Sequence, residues 1–468
     1  MLSLIRRNRR FFLGTLLAGL ALRLVFFIYY PAVTDDSRIY ADFAGNWLHH
    51  GIYGTTQAGQ IVATDERLPG YPAFLAFVFT IFGANDFRAV MLIQILVDLG
   101  TCLLIADLAR RAVSERAAPI AFLLSALCPF LANYAAAVLT ETLEIFFTAL
   151  ALDCALAGIE FLRRGDRRAT PWIGAGLAIA AGILLRPDGG ILLIAVALYF
   201  AWTLLSALRE RIPGLATLYA ALIVGACALL PLVPWTVRNL RTLGHFQPLA
   251  PRYATAADEL ADPGFNRWVR TWIADYASVE EIYWSVPGDK IDADKLPSRA
   301  FDSPSQEEAT RALIEDYNES LAMNPQLDAR FRALAGQRIH EHPLRYVLGL
   351  PALRIADMWL RPRTELLPPD VRWWEFDDDI KGSVLAVALG AINLLYVLAA
   401  FAALFRGNPP LRFFHLLLVF VVIRSLFLGT LENPETRYTL ECYPVVIALA
   451  SRLFSDWKST STPPYRPS

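Results

Sequence analysis

About ten apolar stretches, each close to the length needed to cross a bilayer, constrain this chain more than any motif in it. They cover 11–30, 88–109, 117–134, 141–162, 171–186, 190–208, 214–235, 383–405, 411–430 and 438–454. Hydrocarbon offers the backbone no hydrogen-bond partner, so a span is a helix of roughly 20 apolar residues that satisfies itself. The composition agrees: 55% of the 468 residues are hydrophobic and 19% charged, with a mean hydropathy of +0.40. The expected fold is therefore an all-α integral membrane bundle. A net charge of −1 provides no basic field for nucleic acid, and none is expected as a partner. The five cysteines all lie in or beside apolar runs, which suits small core side chains rather than external disulfides. Arg6, Arg7, Arg9 and Arg10 precede the first run, which is long and has no small-residue cleavage site after it; it reads as a retained signal-anchor helix.

The positive-inside rule assigns orientation. Arginine-rich turns occur at 6–10, at Arg110, Arg111 and Arg116, at Arg163 to Arg168, at Arg209 and Arg211, and at Arg406 and Arg412. If all face the cytoplasm, the two shorter apolar segments 69–83 and 344–360 cannot each cross once, and both are placed at the outer surface. The intervening polar motifs then share that outer, periplasmic face, as expected for a bacterial inner-membrane protein. Residues 1–240 form an N-terminal transmembrane module, 241–382 an extracytoplasmic loop region with interfacial helices and a small subdomain, and 383–456 the C-terminal transmembrane helices. The Ser-, Thr- and Pro-rich end, 457–468, reads as a disordered tail.

Several of these outer motifs carry chemistry. Asp35 and Asp36 are the first carboxylates after the first span, where a base could take the proton of an attacking hydroxyl; as a bland alternative they cap the helix that follows. Arg67 precedes Pro69-Gly70-Tyr71-Pro72, a rigid turn that would fix a guanidinium for phosphate. Glu141 opens a span with Glu144 one turn deeper, and Arg186-Pro187-Asp188-Gly189 breaks a hydrophobic hairpin. Arg238 and Asn239 end another span, while Glu435, Arg437 and Tyr438 join the last two. Each alone is an ordinary polar turn. Together they bring acids and arginines to converging helix ends.

Taken in order, Asp36-x-x-x-Tyr40, Arg67-x-Pro-Gly-Tyr71-Pro-x-Phe-Leu75, Leu139-Thr-Glu141-Thr-Leu143, Arg186-Pro-Asp188-Gly, Pro234-Trp-Thr-Val-Arg238-Asn239 and Arg437-Tyr438 resemble the GT-C class of glycosyltransferases. More narrowly, the series is similar to bacterial phospholipid-carrier-dependent enzymes, relatives of protein O-mannosyltransferases and of the lipid A aminoarabinose transferase. The resemblance implies a GT-C multi-span bundle and transfer of a sugar from a polyprenyl-phosphate donor, with inversion, to an extracytoplasmic glycan, lipid or protein hydroxyl. It implies that Asp36, or Asp35 in the other register of the doublet, is the base and that Glu141 orients acceptor or sugar. It also implies that Arg67 binds donor phosphate, with Tyr40, Tyr71, Arg186, Asp188, Arg238, Asn239, Glu435, Arg437 and Tyr438 as further substrate contacts. Where relatives often have Pro-Pro-Leu after the basic residue, this chain has Pro-Gly-Tyr-Pro.

No cofactor or metal is expected: neither His49-His50 nor His340-Glu341-His342 has the spacing of a closed zinc site. Charges inside spans, namely Arg23, Asp98, Asp107, Asp153 and Arg424, would each cost about 2.5 to 3.5 kcal/mol unpaired. Arg23 and Asp98, on adjacent spans, are expected to pair. The same residues would line an ion path in a transporter or flippase of lipid-linked sugars, which is the competing functional class. Trp268, Trp272, Tyr276, Tyr283 and Trp284 in the long loop either stack on sugar faces or pack the loop onto the membrane.

Overall fold

A computed structural model describes residues 1–205, 214–252, 263–377, 379–407 and 411–455. The expected tail and the turn with Arg209 and Arg211 lie outside them. A short helix α1 (Leu2–Arg7) leads into α2 (Arg9–Tyr29), and a lateral helix α3 (Asp35–His50) is followed by a hairpin of β1 (Gly54–Gln57) and β2 (Gln60–Ala63). Next come α4 (Gly70–Phe82), α5 (Phe87–Ala112), α6 (Ala117–Ala126), α7 (Pro129–Ala135), α8 (Glu141–Arg163), α9 (Thr170–Leu185), α10 (Gly190–Leu205), α11 (Gly214–Leu229) and α12 (Leu232–Thr242). The intervening region holds α13 (Pro263–Val269), α14 (Tyr276–Ser278), α15 (Pro304–Ser320), α16 (Pro325–Glu341) and α17 (Leu350–Leu360), before α18 (Ile380–Leu404), α19 (Phe414–Gly429) and α20 (Tyr443–Ala450).

Six helices among the described residues are long and apolar enough to span, and α6 with α7 forms a seventh, bent by 52°. The protein is a multi-pass membrane protein. The bend falls at Cys128, which is extended (φ −70, ψ 114) because the following Pro129 disfavours helical geometry in the residue before it. The apolar run 438–454, expected as one straight span, is a short α-helix between two 3₁₀ segments. Arg-Tyr-Thr-Leu-Glu at its start carries charge that a regular span would have to bury unpaired.

The buried charges are paired. Arg23 donates to Asp98 at 2.6 Å and to the carbonyls of Gly19 and Ala126 at 2.9 and 2.7 Å, joining α2, α5 and α6 as the adjacent-span reading expects. Arg111 contacts Asp107, Asp153 and Glu160 at 3.0, 2.8 and 2.7 Å. That cluster lies at the end where the basic turns collect: Arg7 meets Glu115 at 3.4 Å, Arg163 lies over Phe413, and the Arg412 N–H donates to Ala112. Asp36 and the remaining polar motifs lie on other turns, discussed below.

The region between 263 and 341 has a hydrophobic core of its own, built from Phe265, Trp268, Trp272, Leu313, Tyr317 and Phe331 among others. The polar run 304–341 forms two helices, divided where Leu321 turns left-handed (φ 54) and Asn324 caps α16. Trp268 and Trp272 are fully buried and Tyr276 nearly so. These three therefore hold the subdomain together; they neither line an open sugar platform nor face lipid. Arg354 fastens the subdomain to the bundle, donating to the carbonyls of Ile273, Arg270 and Gly429 at 2.8, 2.6 and 3.2 Å.

Candidate active site

The site is assembled from chain breaks, because a helix end presents both a side chain and a local dipole. Thr34 and Ser37 form a reciprocal cap on α3, which fixes Asp35 and Asp36 in its first turn where the helix dipole favours negative charge. The strand-like residues just before this cap dock on the turn before α8: Ala32 N–H donates to Ala136 and Val138 N–H to Ala32, both at 3.0 Å. Ser37 hydroxyl adds a bond to the Val138 carbonyl at 2.7 Å. Three residues beyond Val138 comes Glu141, so this bridge sets Asp36 beside the acidic start of α8.

Arg67 reaches Asp36 at 3.4 Å and Glu66 at the same distance. Its position depends on Gly70: a Cβ there would lie 2.6 Å from the Leu184 carbonyl oxygen and 2.7 Å from its carbon. Only glycine lets the start of α4 approach the end of α9 this closely. Tyr71 is fully buried and donates to Gln94 at 2.8 Å, which in turn donates to the Ala137 carbonyl at 2.6 Å. Tyr71 therefore ties α4 to the 136–138 bridge and packs against the Tyr40 ring at 5.1 Å. Burial pushes the Tyr40 phenol up to about 12, so it stays protonated as a hydroxyl donor.

Arginine and carboxylate then alternate. Arg437 lies 3.7 Å from Asp36, 3.5 Å from Glu141 and 2.5 Å from Glu435. Arg186 lies 3.8 Å from Glu141, 3.7 Å from Glu144 and 3.4 Å from Asp188, with its guanidinium 4.6 Å from the Tyr438 ring centroid. Arg424 closes the series on Asp188 at 2.9 Å and on Glu441. Arg186 is extended at the break between α9 and the 3₁₀ turn 187–189, a conformation that the following proline favours. Of the expected residues, Asp36, Arg67, Glu141, Arg186, Asp188, Glu435, Arg437 and Tyr438 meet in one network. Glu441 was not singled out from the sequence, although an acid inside the apolar stretch 438–454 is the signal that marks it.

The two aspartates of the doublet differ in exposure. Asp35 is 93% exposed and paired with Arg38, whereas Asp36 is 35% exposed and faces Arg67 and Arg437. Arg238 and Asn239 sit elsewhere. Arg238 donates to the carbonyls of Thr64 and Tyr53, and Asn239 to that of Gln247, so both clamp the hairpin and the chain after α12. His49 and His50 are exposed at the end of α3. Asp302, Glu341 and His342 bring ligand atoms within 4.8 Å of one another. Asp302 is, however, already held by both Arg345 nitrogens at 2.5 and 2.8 Å and approached by Arg338 at 3.3 Å, a poor setting for a cation.

The family model for dolichyl-phosphate-mannose-protein mannosyltransferase matches residues 66–235, a segment that includes Arg67, Tyr71, Glu141, Arg186 and Asp188. The oligosaccharyltransferase AglB from Archaeoglobus fulgidus, in complex with an inhibitory peptide and a dolichol-phosphate, superposes over 96% of this chain with a TM-score of 0.52 at 13% identity. This chain has the GT-C fold. A second structure of the Archaeoglobus enzyme, complexed with zinc and sulfate, aligns over 95% of the chain at 15% identity and a TM-score of 0.53. The chain spans about half the length of the archaeal enzyme, 50% in both superpositions. ArnT from Cupriavidus metallidurans, bound to undecaprenyl phosphate, covers 92% of this chain and 78% of its own at 16% identity. Its TM-score of 0.38 is too low to add to the fold assignment. No curated protein sequence matches the chain. The GT-C resemblance expected from the Arg-x-Pro-Gly-Tyr-Pro and Leu-Thr-Glu-Thr-Leu motifs therefore holds at the level of fold.

Proposed function

We propose that this GT-C protein transfers a sugar from a polyprenyl-phosphate donor to a hydroxyl of a glycan, lipid or protein acceptor, inverting the anomeric centre. The observation that carries the reading is the placement of partly exposed Asp36 between two guanidinium groups, Arg67 at 3.4 Å and Arg437 at 3.7 Å. Placing the basic turns in the cytoplasm puts this end of the bundle in the periplasm of a bacterial inner membrane.

In the proposed reaction the acceptor oxygen attacks the anomeric carbon from the face opposite the phosphate. The carbon–oxygen bond to phosphate breaks, its electron pair leaves with the polyprenyl phosphate, and the acceptor proton passes to Asp36. Negative charge grows on the departing phosphate, so guanidiniums already fixed by Asp36, Glu66, Glu141 and Glu435 stabilise the transition state more than the ground state. Arg67 and Arg437 take that role, and Arg186 supports Glu141 at 3.8 Å. The prenyl chain lies against the apolar helices, which keeps the donor at the bilayer.

The competing transport reading drew on charges inside the spans, and Asp98, Asp153 and Arg424 each have an ion-pair partner. Purified protein incubated with a panel of undecaprenyl-phosphate sugars and candidate acceptors tests the reaction. Release of undecaprenyl phosphate with a product of inverted configuration is expected. Translocation of the lipid-linked sugar across vesicles without bond cleavage would replace this reading with transport.

A further inference from the structure

Away from the Asp36 network, an open cavity of about 420 Å³ lies between α3 and the turn that joins α4 to α5. Arg38, Asp42, Gly45 and Asn46 line it from α3, and Phe79 and Phe87 from the other side. The volume falls in the range of small-molecule sites. On an α-helix roughly 180° of rotation separates Gly45 from Asp36, so this cavity is not part of the transfer site.

Two features of its wall have no explanation in packing. Gly45 stands in the middle of α3 with ordinary helical geometry, and a Cβ built on it would meet no neighbouring group within 4 Å; a glycine there weakens the helix relative to alanine and leaves the cavity floor open. Asn46 is only 7% exposed, and its Nδ2 donates to the Gly54 carbonyl at 3.1 Å, the Thr56 hydroxyl at 3.1 Å and Asp42 at 3.2 Å. Its Oδ1 has no donor among the described residues, although buried acceptors are ordinarily satisfied. Arg38 and Asp42 stand one turn apart, the spacing of an i,i+4 ion pair, yet do not pair with each other. Arg38 meets the exposed Asp35 at 3.0 Å, a weak partner in water, and Asp42 accepts from the Thr56 N–H at 2.6 Å and hydroxyl at 2.8 Å. The wall therefore presents a cation and an anion about 6 Å apart along the helix. Of the other charged or titratable groups nearby, Asp86 caps α5 through the Ala89 N–H at 2.9 Å, Arg88 lies 5.4 Å from the Phe27 ring centroid, and His49 and His50 line the far end of the cavity.

The cavity opens at the membrane surface. Phe87 begins the 26-residue apolar span α5, whose other end carries Arg110 and Arg111. On α4, Phe77, Ile81 and Phe82 are 62, 57 and 54% exposed, an apolar strip suited to acyl chains. We infer that the cavity binds the headgroup of an aminophospholipid of the bilayer, with its phosphate at Arg38, its primary ammonium at Asp42 and Asn46 Oδ1, and its chains along the exposed side of α4. A primary ammonium carries three N–H donors, which suits those two acceptors; a trimethylated one has none to offer. A purely anionic headgroup would face the Asp42 carboxylate unmatched. None of these groups takes part in the transfer proposed above, and the lipid site stands or falls independently of it.

Lipid selectivity tests the site. The full-length protein in detergent is titrated with dioleoyl phosphatidylethanolamine, phosphatidylcholine and phosphatidylglycerol and with water-soluble phosphoethanolamine, and bound molecules are counted by native mass spectrometry. Wild type is expected to favour phosphatidylethanolamine over the other two lipids by about tenfold or more, the scale of one hydrogen bond to a charged group. Gly45→Leu, which fills the cavity, and Arg38→Gln, which removes the cation, should each lose that excess. Gly45→Leu should keep or raise the Tm, because its side chain enters open space and replaces a mid-helix glycine. Equal binding of the three lipids by wild type, or a preference that survives both substitutions, would overturn the site. Tightest binding of phosphatidylglycerol would overturn the assignment of the ammonium to Asp42 and Asn46, and phosphoethanolamine bound as tightly as the lipid would overturn the bilayer as its source. If Gly45→Leu lowers the Tm, Arg38→Gln, at an exposed position, decides alone: a retained preference overturns the site and a lost one supports it.

Discussion

Replacing Asp98 with Asn tests whether the charge buried deep in the bundle is a fastening or a pathway. Asp98 is 1% exposed and Arg23 not exposed at all, with the guanidinium nitrogens 2.5 and 2.6 Å from one carboxylate oxygen. Breaking a buried pair by removing one charge costs about 3 to 5 kcal/mol, because the other charge is stranded. Here the stranded arginine keeps its bonds to the carbonyls of Gly19 and Ala126, and asparagine retains an acceptor oxygen, so the loss belongs at the lower end, about 3 kcal/mol. For a chain of this size that is a fall of about 3 °C in apparent Tm, read by thermal unfolding in detergent. Activity per folded molecule should be unchanged, since no substrate group is assigned to α5 at this depth. The double variant Arg23→Met with Asp98→Leu should recover most of the lost stability, because an apolar pair carries no desolvation cost. An Asp98→Asn protein with unchanged Tm and lost function would refute the structural reading and revive transport.

Arg67→Gln should lower turnover about 10²- to 10³-fold, the usual cost of one transition-state donor, measured as kcat on any accepted donor. Asp35→Asn should leave turnover within about twofold, since this 93% exposed side chain pairs with the exposed Arg38 and exposed pairs contribute little. Gly70→Ala should reduce both expression and Tm, because its Cβ would collide with the Leu184 backbone at 2.6 Å; a well-folded, fully active Gly70→Ala protein would show that α4 and α9 need not touch. In the helix α17, burial pushes the Asp357 carboxyl up from 3.8 to about 6. The folded state then holds its proton where the unfolded state has released it, so stability rises as pH falls from about 6 to about 4, by at most about 3 kcal/mol. Thermal unfolding at pH 7 and pH 4.5 should show this gain in wild type and a smaller one in Asp357→Asn.

Much of the bundle was legible because hydrophobic length is a direct physical requirement of a bilayer. The pairing of Arg23 with Asp98 was legible for the same reason, since a lone charge there is too costly to leave. The broken stretches were less so. The break at Cys128 follows from Pro129, but the 3₁₀ start at Thr436–Cys442 reflects Arg437, Glu441 and Tyr438 each taking a tertiary partner, which no local pattern encodes. Within the site, motifs marked the helix ends and the fold chose among them. It brought Arg437, Glu435 and Asp36 together across about 400 residues of chain and left Arg238 on the hairpin. The aromatic loop misled for a plain reason: composition cannot tell tryptophans of a small core from tryptophans of a binding platform, and Trp268 and Trp272 belong to the core. The Pro-Gly-Tyr-Pro turn, which departs from the related pattern, proves to be a packing solution between α4 and α9.

The most direct test of the central claim is glycosyl transfer by Asp36→Asn beside wild type and Asp35→Asn, with donor binding measured on the same preparations. The account predicts that Asp36→Asn still binds undecaprenyl-phosphate sugar and still folds, yet transfers at least about 10²-fold more slowly, while Asp35→Asn transfers like wild type. Wild-type rates in Asp36→Asn, with transfer lost in Asp35→Asn instead, would contradict the assignment of the base and the geometry built around it.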